Sequence, residues 1–91
     1  MGKITRSIHI YGTVQGVGFR YATREKARNL GIKGRVKNMS DGSVYIEAQG
    51  EEEKMDTFIQ WCHSGPSSAR IQDVEIEKTE GKSYRGFDII Q

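Results

Sequence analysis

Along this chain the spacing of apolar residues switches from every second position to every third or fourth and back again, twice. That order leaves few folds open. Ile8, Ile10 and Val14 fall on one side of an extended run and His9, Tyr11 and Thr13 on the other, the alternation of a half-buried strand. Over residues 19–30, Phe19, Ala22, Thr23, Ala27 and Leu30 recur at helical spacing, and Gly31 follows as a stop. Residues 33–38 predict a short strand with Val36 inward. Ser40-Asp41-Gly42-Ser43 is turn chemistry, because Asp-Gly tolerates positive φ, and Val44, Ile46 and Ala48 alternate after it as a third strand. A second helix opens on Glu51, Glu52 and Glu53, carboxylates that suit the positive end of the macrodipole. Its apolar stripe is Met55, Phe58, Ile59 and Cys62, with His63 in the last turn and Gly65-Pro66 ending it. After a small-residue loop over 65–69, Val74 and Ile76 alternate with Asp73, Glu75 and Glu77 as a fourth strand. A turn at Glu80-Gly81-Lys82-Ser83 leads to a short apolar piece at 87–90. The order is β-α-β-β-α-β with a short extra C-terminal strand. Two helices of this length cover one face of a four-stranded antiparallel sheet, so the fold class is α+β, a ferredoxin-like sandwich with core strand order 4-1-3-2.

Ninety-one residues make one domain, spanning 1–91. No stretch approaches the ~20 apolar residues of a membrane span, and the N-terminus lacks the apolar block of a signal peptide. Cys62 is the single cysteine, so no intrachain disulfide forms, which suits a reducing cytoplasm. One cysteine and two separated histidines give no metal-ligand cluster. Charge is segregated: residues 1–40 carry nine Lys/Arg against Glu25 alone, and residues 41–91 carry eleven acids against five bases. If the basic half surrounds a binding loop, its field favours an anionic ligand.

That loop is Val14-Gln15-Gly16-Val17-Gly18-Phe19-Arg20, where a strand gives way to a helix. Glycines let successive backbone N–H groups turn inward as an anion nest, and a helix start adds positive potential. Arg20 supplies a planar, permanently charged fork that matches phosphate or carboxylate. Tyr21 stands where a dinucleotide fingerprint needs its third glycine, and no Walker lysine follows Gly18, so both nucleotide-loop readings fail. Elsewhere the candidates are ordinary. Cys62 reads as a core thiol, His63 as a charge partner of a helix end, Trp61 as a half-exposed packing residue and His9 as an exposed strand residue, while Arg24 and Arg28 lie along the first helix in solvent.

The longer string, Gly12-Thr13-Val14-Gln15-Gly16-Val17-Gly18-Phe19-Arg20, strongly resembles the signature of the acylphosphatases. Gly34-Arg35-Val36-Lys37-Asn38 with Asp41-Gly42-Ser43-Val44 resembles the family's second signature, and the likeness spans nearly the whole chain. Arg35 stands where many members carry tryptophan, and Lys37 where arginine is common. The resemblance implies hydrolysis of a carboxylic–phosphoric mixed anhydride. Arg20 would bind phosphate with the backbone amides of Gln15, Gly16, Val17, Gly18, Phe19 and Arg20, and Asn38 would orient the attacking water. No cofactor and no metal are implied. The expected partners are a small-molecule acyl phosphate, with inorganic phosphate or sulfate as competing anions, no nucleic acid and no membrane, and the expected state is a monomer.

Two other readings stay open at this stage. Tyr11 and Tyr45 project from the two central strands onto the sheet face away from the helices, where RNA-recognition modules of this topology stack bases. Glu47 on that face and the acidic second half oppose a nucleic-acid ligand. Acylphosphatase-like domains also occur in carbamoyl-transfer maturation proteins, which handle carbamoyl phosphate.

Overall fold

The computed structural model describes residues 2–80 and 83–90. Its elements run β1 (Lys3–Thr13), α1 (Phe19–Asn29), β2 (Lys33–Asn38), β3 (Val44–Glu51), α2 (Glu52–Ser64), β4 (Arg70–Lys78) and β5 (Phe87–Ile89). The strands form one sheet in the order β4-β1-β3-β2-β5. The core order 4-1-3-2 is therefore as the apolar periods imply. The short fifth strand lies beside β2 and parallel to it, Val36 against Ile89, which makes the sheet mixed. The 80–83 turn expected ahead of it includes Gly81 and Lys82, which lie outside the described residues.

Burial explains why these residues choose these elements. Ile8, Ile10, Val36, Val44, Ile46 and Ala48 from the sheet meet Phe19 and Ala27 of α1 and Met55, Phe58 and Cys62 of α2, all essentially without exposure. Burying one such aliphatic or aromatic side chain is worth about 1.5–3 kcal/mol. Cys62 is the core thiol its place on the stripe predicts, and burial pushes its pKa far up. Trp61 is half-buried and packs on Phe19 and Phe58.

The strands differ from the reading of their sequence in two places. β1 starts at Lys3, well before Ile8, and pairs with β3 from Lys3 opposite Glu51. Its early part faces the core through Ile4, while Thr5, buried on the opposite face of the sheet, accepts from Gln49 Nε2 at 3.2 Å. At the other sheet edge, Ile76 is 39% exposed although it alternates with acids as an inward residue should. β4 is flanked only by β1, so this end of the strand lacks the cover that central strands enjoy.

The sheet face opposite the helices holds the aromatic residues in a carboxylate-rich setting. His9 stacks on Tyr11 with centroids 4.5 Å apart and meets Tyr45 edge-on at 5.8 Å. Tyr11 Oη donates to Glu75 and Tyr45 Oη to Glu47. Arg35 has a definite role here: its Nε lies 2.6 Å from Glu47 Oε1, which also accepts from Tyr84 Oη at 2.7 Å. Burial opposes ionisation of Glu47, but these donors outweigh it and hold its pKa below the usual value. Burial and the neighbouring carboxylate together push Tyr84 up to about 12.

Candidate active site

The loop between β1 and α1 is shaped by backbone handedness. Gly16 and Gly18 both take φ of 76°, and no other residue of the loop has positive φ. Conformation therefore alternates in hand along Gln15, Gly16, Val17, Gly18 and Phe19, the pattern that turns consecutive N–H groups toward one concavity. A side chain at Gly16 or Gly18 would meet no atom, so glycine is required there by conformation, not by space. Gly18 is the N-cap of α1, and no side chain caps that end. The helical ladder begins with Ala22 N–H to the Gly18 carbonyl at 3.0 Å. The amides of Phe19, Arg20 and Tyr21 precede it, among those every helix leaves unpaired at its start.

Three struts hold this loop. Gln15 Nε2 donates to the Met39 carbonyl at 2.7 Å and to the Ser43 carbonyl at 2.9 Å, tying the loop to the β2–β3 turn. Ser68 Oγ donates to the Val17 carbonyl at 2.7 Å. Gly65 lies against the Phe19 ring so closely that a Cβ there would fall 2.6 Å from Phe19 Cε2. Sequence reasoning missed Ser68, and it assigned Gln15 only for its amide. No local pattern marks either contact, because both partners are distant in the chain.

Sheet register brings Asn38 to the loop. Asn38 ends β2 opposite Val44, and Val44 in turn pairs with Ile10, a few residues before the loop. An open cleft of about 200 Å³ results. Val14 and Phe19 lie at its base, Gly16 and Gly18 line the loop side, Arg20 and Tyr21 come from the first turn of α1, and Asn38 and Ile89 close the β2–β5 side. Of the residues expected at the site, Gly16, Gly18, Phe19, Arg20 and Asn38 meet here, whereas the side chains of Gln15 and Val17 serve as supports.

Two polar groups in the cleft stand without partners. Asn38 Oδ1 is buried and accepts no hydrogen bond from the described residues. A buried amide oxygen left bare is costly unless something else satisfies it. The Arg20 guanidinium likewise makes no hydrogen bond or ion pair among the described residues, so its fork is free for a ligand. Behind Asn38 the turn is fixed by its own network. Ser43 Oγ donates to Asp41 Oδ1 at 2.5 Å, so its oxygen must accept from His9, 2.6 Å away, placing a proton on His9 Nε2. The Ser43 hydroxyl and amide hold the Asp41 carboxyl below its ordinary pKa, outweighing partial desolvation. His9 is thus a half-buried anchor of this turn instead of the exposed strand residue its position implied. Among the described residues no group of three or more His, Cys, Asp or Glu side chains is placed to hold a metal ion. Among the described residues no helix is long and apolar enough to cross a membrane.

Comparison with known proteins agrees with the resemblance. The family profile for acylphosphatase matches residues 6–89. A curated acylphosphatase of Archaeoglobus fulgidus is 51% identical over 86 residues, covering 94% of this chain and 97% of that protein. Among solved structures, an acylphosphatase from Coxiella burnetii superposes with a TM-score of 0.93 at 33% identity, covering 97% of this chain and 93% of that one. One from Bacillus subtilis gives 0.93 at 30% identity, covering 97% and 99%.

Proposed function

This chain belongs to the acylphosphatase family and hydrolyses acyl phosphates, and we propose that Arg20 and the loop amides bind the phosphoryl group while Asn38 directs the attacking water. One observation carries this assignment: Arg20, whose guanidinium has no partner among the described residues, and Asn38, whose buried Oδ1 has none there either, line the same cleft at the mouth of an alternating-hand glycine loop.

The chemistry follows from what each group offers. Arg20 presents parallel N–H donors to two phosphoryl oxygens, and the unpaired amides of the loop and first helical turn hold the third. These donors are fixed before the substrate arrives, so they stabilise charge in the transition state without reorganising. Asn38 Oδ1 accepts a hydrogen bond from the water and aims its oxygen at phosphorus. The water's oxygen bonds to phosphorus as the bond to the acyl oxygen breaks, and that electron pair leaves with the carboxylate. Asn38 is not a base, so the water's proton passes to a phosphoryl oxygen of the substrate. The leaving carboxylate is stable, and positioning with charge stabilisation suffices for the rate.

Several finer assignments belong to the same proposal. Inorganic phosphate and sulfate compete for the cradle. The chain acts as one domain and as a monomer, without metal or cofactor, in the cytoplasm, where a free buried Cys62 is at home. It does not bind nucleic acid: the tyrosine hydroxyls of the open sheet face are engaged by Glu47 and Glu75, whose charges repel phosphates.

The test is hydrolysis of benzoyl phosphate followed by ultraviolet absorbance in metal-free buffer, with Arg20→Ala and Asn38→Ala alongside. Both variants should lose at least about a hundredfold in kcat, the scale of removing a transition-state donor. Asn38→Ala should retain competitive inhibition by inorganic phosphate, and Arg20→Ala should lose it. Full activity in Asn38→Ala would remove the water-directing role.

A further inference from the structure

The cleft has an apolar side that phosphoryl binding leaves unused. Val14 and Phe19 are each only 1% exposed and offer little surface to a ligand. Tyr21 differs: it is 59% exposed, it lines the cleft, and it directly follows Arg20 in the first turn of α1. A large aromatic side chain so exposed, on a small protein whose other apolar residues are mostly covered, calls for a reason.

Its surroundings show that the ring is braced. The Arg24 guanidinium, one helical turn further on, stands 5.0 Å from the ring centroid in cation–π contact. Arg24 Nε is buried and finds no hydrogen-bond acceptor among the described residues, only a 3.5 Å ion pair with its neighbour Glu25. The cation thus stands over one face of Tyr21, while more than half of the residue stays open to solvent. In the cleft, Asn38 and Ile89 belong to the β2–β5 side, and Arg20 and Tyr21 to the α1 side. In-line displacement places water and leaving group on opposite sides of phosphorus. With the water held at Asn38, the acyl group extends toward the α1 side, where Tyr21 is the exposed apolar surface.

We propose that Tyr21, braced by Arg24, is the acyl-group subsite, and that it selects acyl phosphates bearing a flat aromatic acyl group over small ones. The inference rests on the assignment of Arg20 and Asn38 above. Aromatic stacking adds a favourable contribution beyond area burial. The readout is therefore the ratio of kcat/KM for benzoyl phosphate to that for acetyl phosphate, in wild type, Tyr21→Ala and Tyr21→Phe. Tyr21→Ala should lower the ratio about five- to tenfold, mainly through KM for benzoyl phosphate, and Tyr21→Phe should restore it. Competitive inhibition by inorganic phosphate, measured in parallel, should stay within about twofold in both variants, because the ring does not contact the phosphoryl group. A ratio unchanged in Tyr21→Ala, or equal losses on both substrates, would overturn the subsite and leave the catalytic assignment standing. A folded wild type that hydrolyses neither anhydride would overturn the catalytic assignment and the subsite with it.

Discussion

Helices α1 and α2 hold matching places in the two halves of the sandwich, each entered from a strand, yet their first turns are built from opposite chemistry. α2 opens on Glu51 as N-cap with Glu52 and Glu53 behind it, so its own carboxylates face its positive end. α1 opens on Gly18, carries no acid in its first turn, and places Arg20 there instead. Neither end has a side-chain cap hydrogen bond. By ordinary rules α1 is the poorer start, with unpaired amides and a like-signed charge beside them. The contrast teaches that the anion site is made as much by what the chain withholds as by what it supplies: one helix satisfies itself, and the other waits for a ligand.

The comparison breaks most severely at Arg20. Arg20→Lys keeps the charge but not the bidentate fork, and kcat/KM for benzoyl phosphate should fall about a hundredfold with an unchanged melting temperature. Near-full turnover would mean that charge alone suffices. A milder break makes α1 resemble α2. Val17→Asp puts a carboxylate beside the loop amides, and it should raise KM and the inhibition constant of phosphate together by about tenfold, an effect of about 1.4 kcal/mol. A change in kcat alone would place the loop outside phosphate binding. The reverse change sharpens the contrast: the double variant Glu52→Gln, Glu53→Gln should destabilise α2 by about 0.3–1 kcal/mol per site in low salt and leave activity untouched, read by urea unfolding at two ionic strengths. The smallest effect is in acid. Asp41 has a depressed pKa in the folded state, so its contribution to stability is complete above the ordinary carboxylate value of about 4 and is lost as pH falls through the folded value. Asp41→Asn should lower the melting temperature slightly near neutrality and flatten the profile below pH about 4, so that the two profiles converge in strong acid.

Much of the fold could be read from the chain because it rests on apolar spacing, which is local. Phe19, Thr23 and Ala27 are buried on α1, and Met55, Phe58 and Cys62 on α2, where the helical stripes put them. The early part of β1 was hidden because Arg6 interrupts the inward alternation between Ile4 and Ile8, and Ile76 misled because alternation cannot say whether a strand lies at an edge. At the site, the glycine spacing and Arg20 were legible as local chemistry. Asn38 was singled out only by resemblance, since one asparagine before a turn looks like turn chemistry. The supports, Gln15 to Met39 and Ser68 to Val17, were illegible because each joins segments that only the completed sheet brings together. Arg35 belongs with them: its partner Glu47 is set by the register of β2 on β3.

The parallel strand β5 has a consequence for when the protein comes into being. Its Ile89 closes one side of the cleft, and Ile90 N–H bonds the Val36 carbonyl at 2.9 Å along the strand that ends in Asn38. A ribosome will have released the glycine loop, Arg20 and Asn38 long before these residues appear. Until then β2 presents an unpaired edge, a template for another nascent chain. β5, which emerges after β1, β2, β3 and β4, therefore does two jobs at one moment, finishing the wall of the cleft and sealing the edge beside it. Synthesis order leaves the cleft incomplete and the β2 edge exposed until β5 is free.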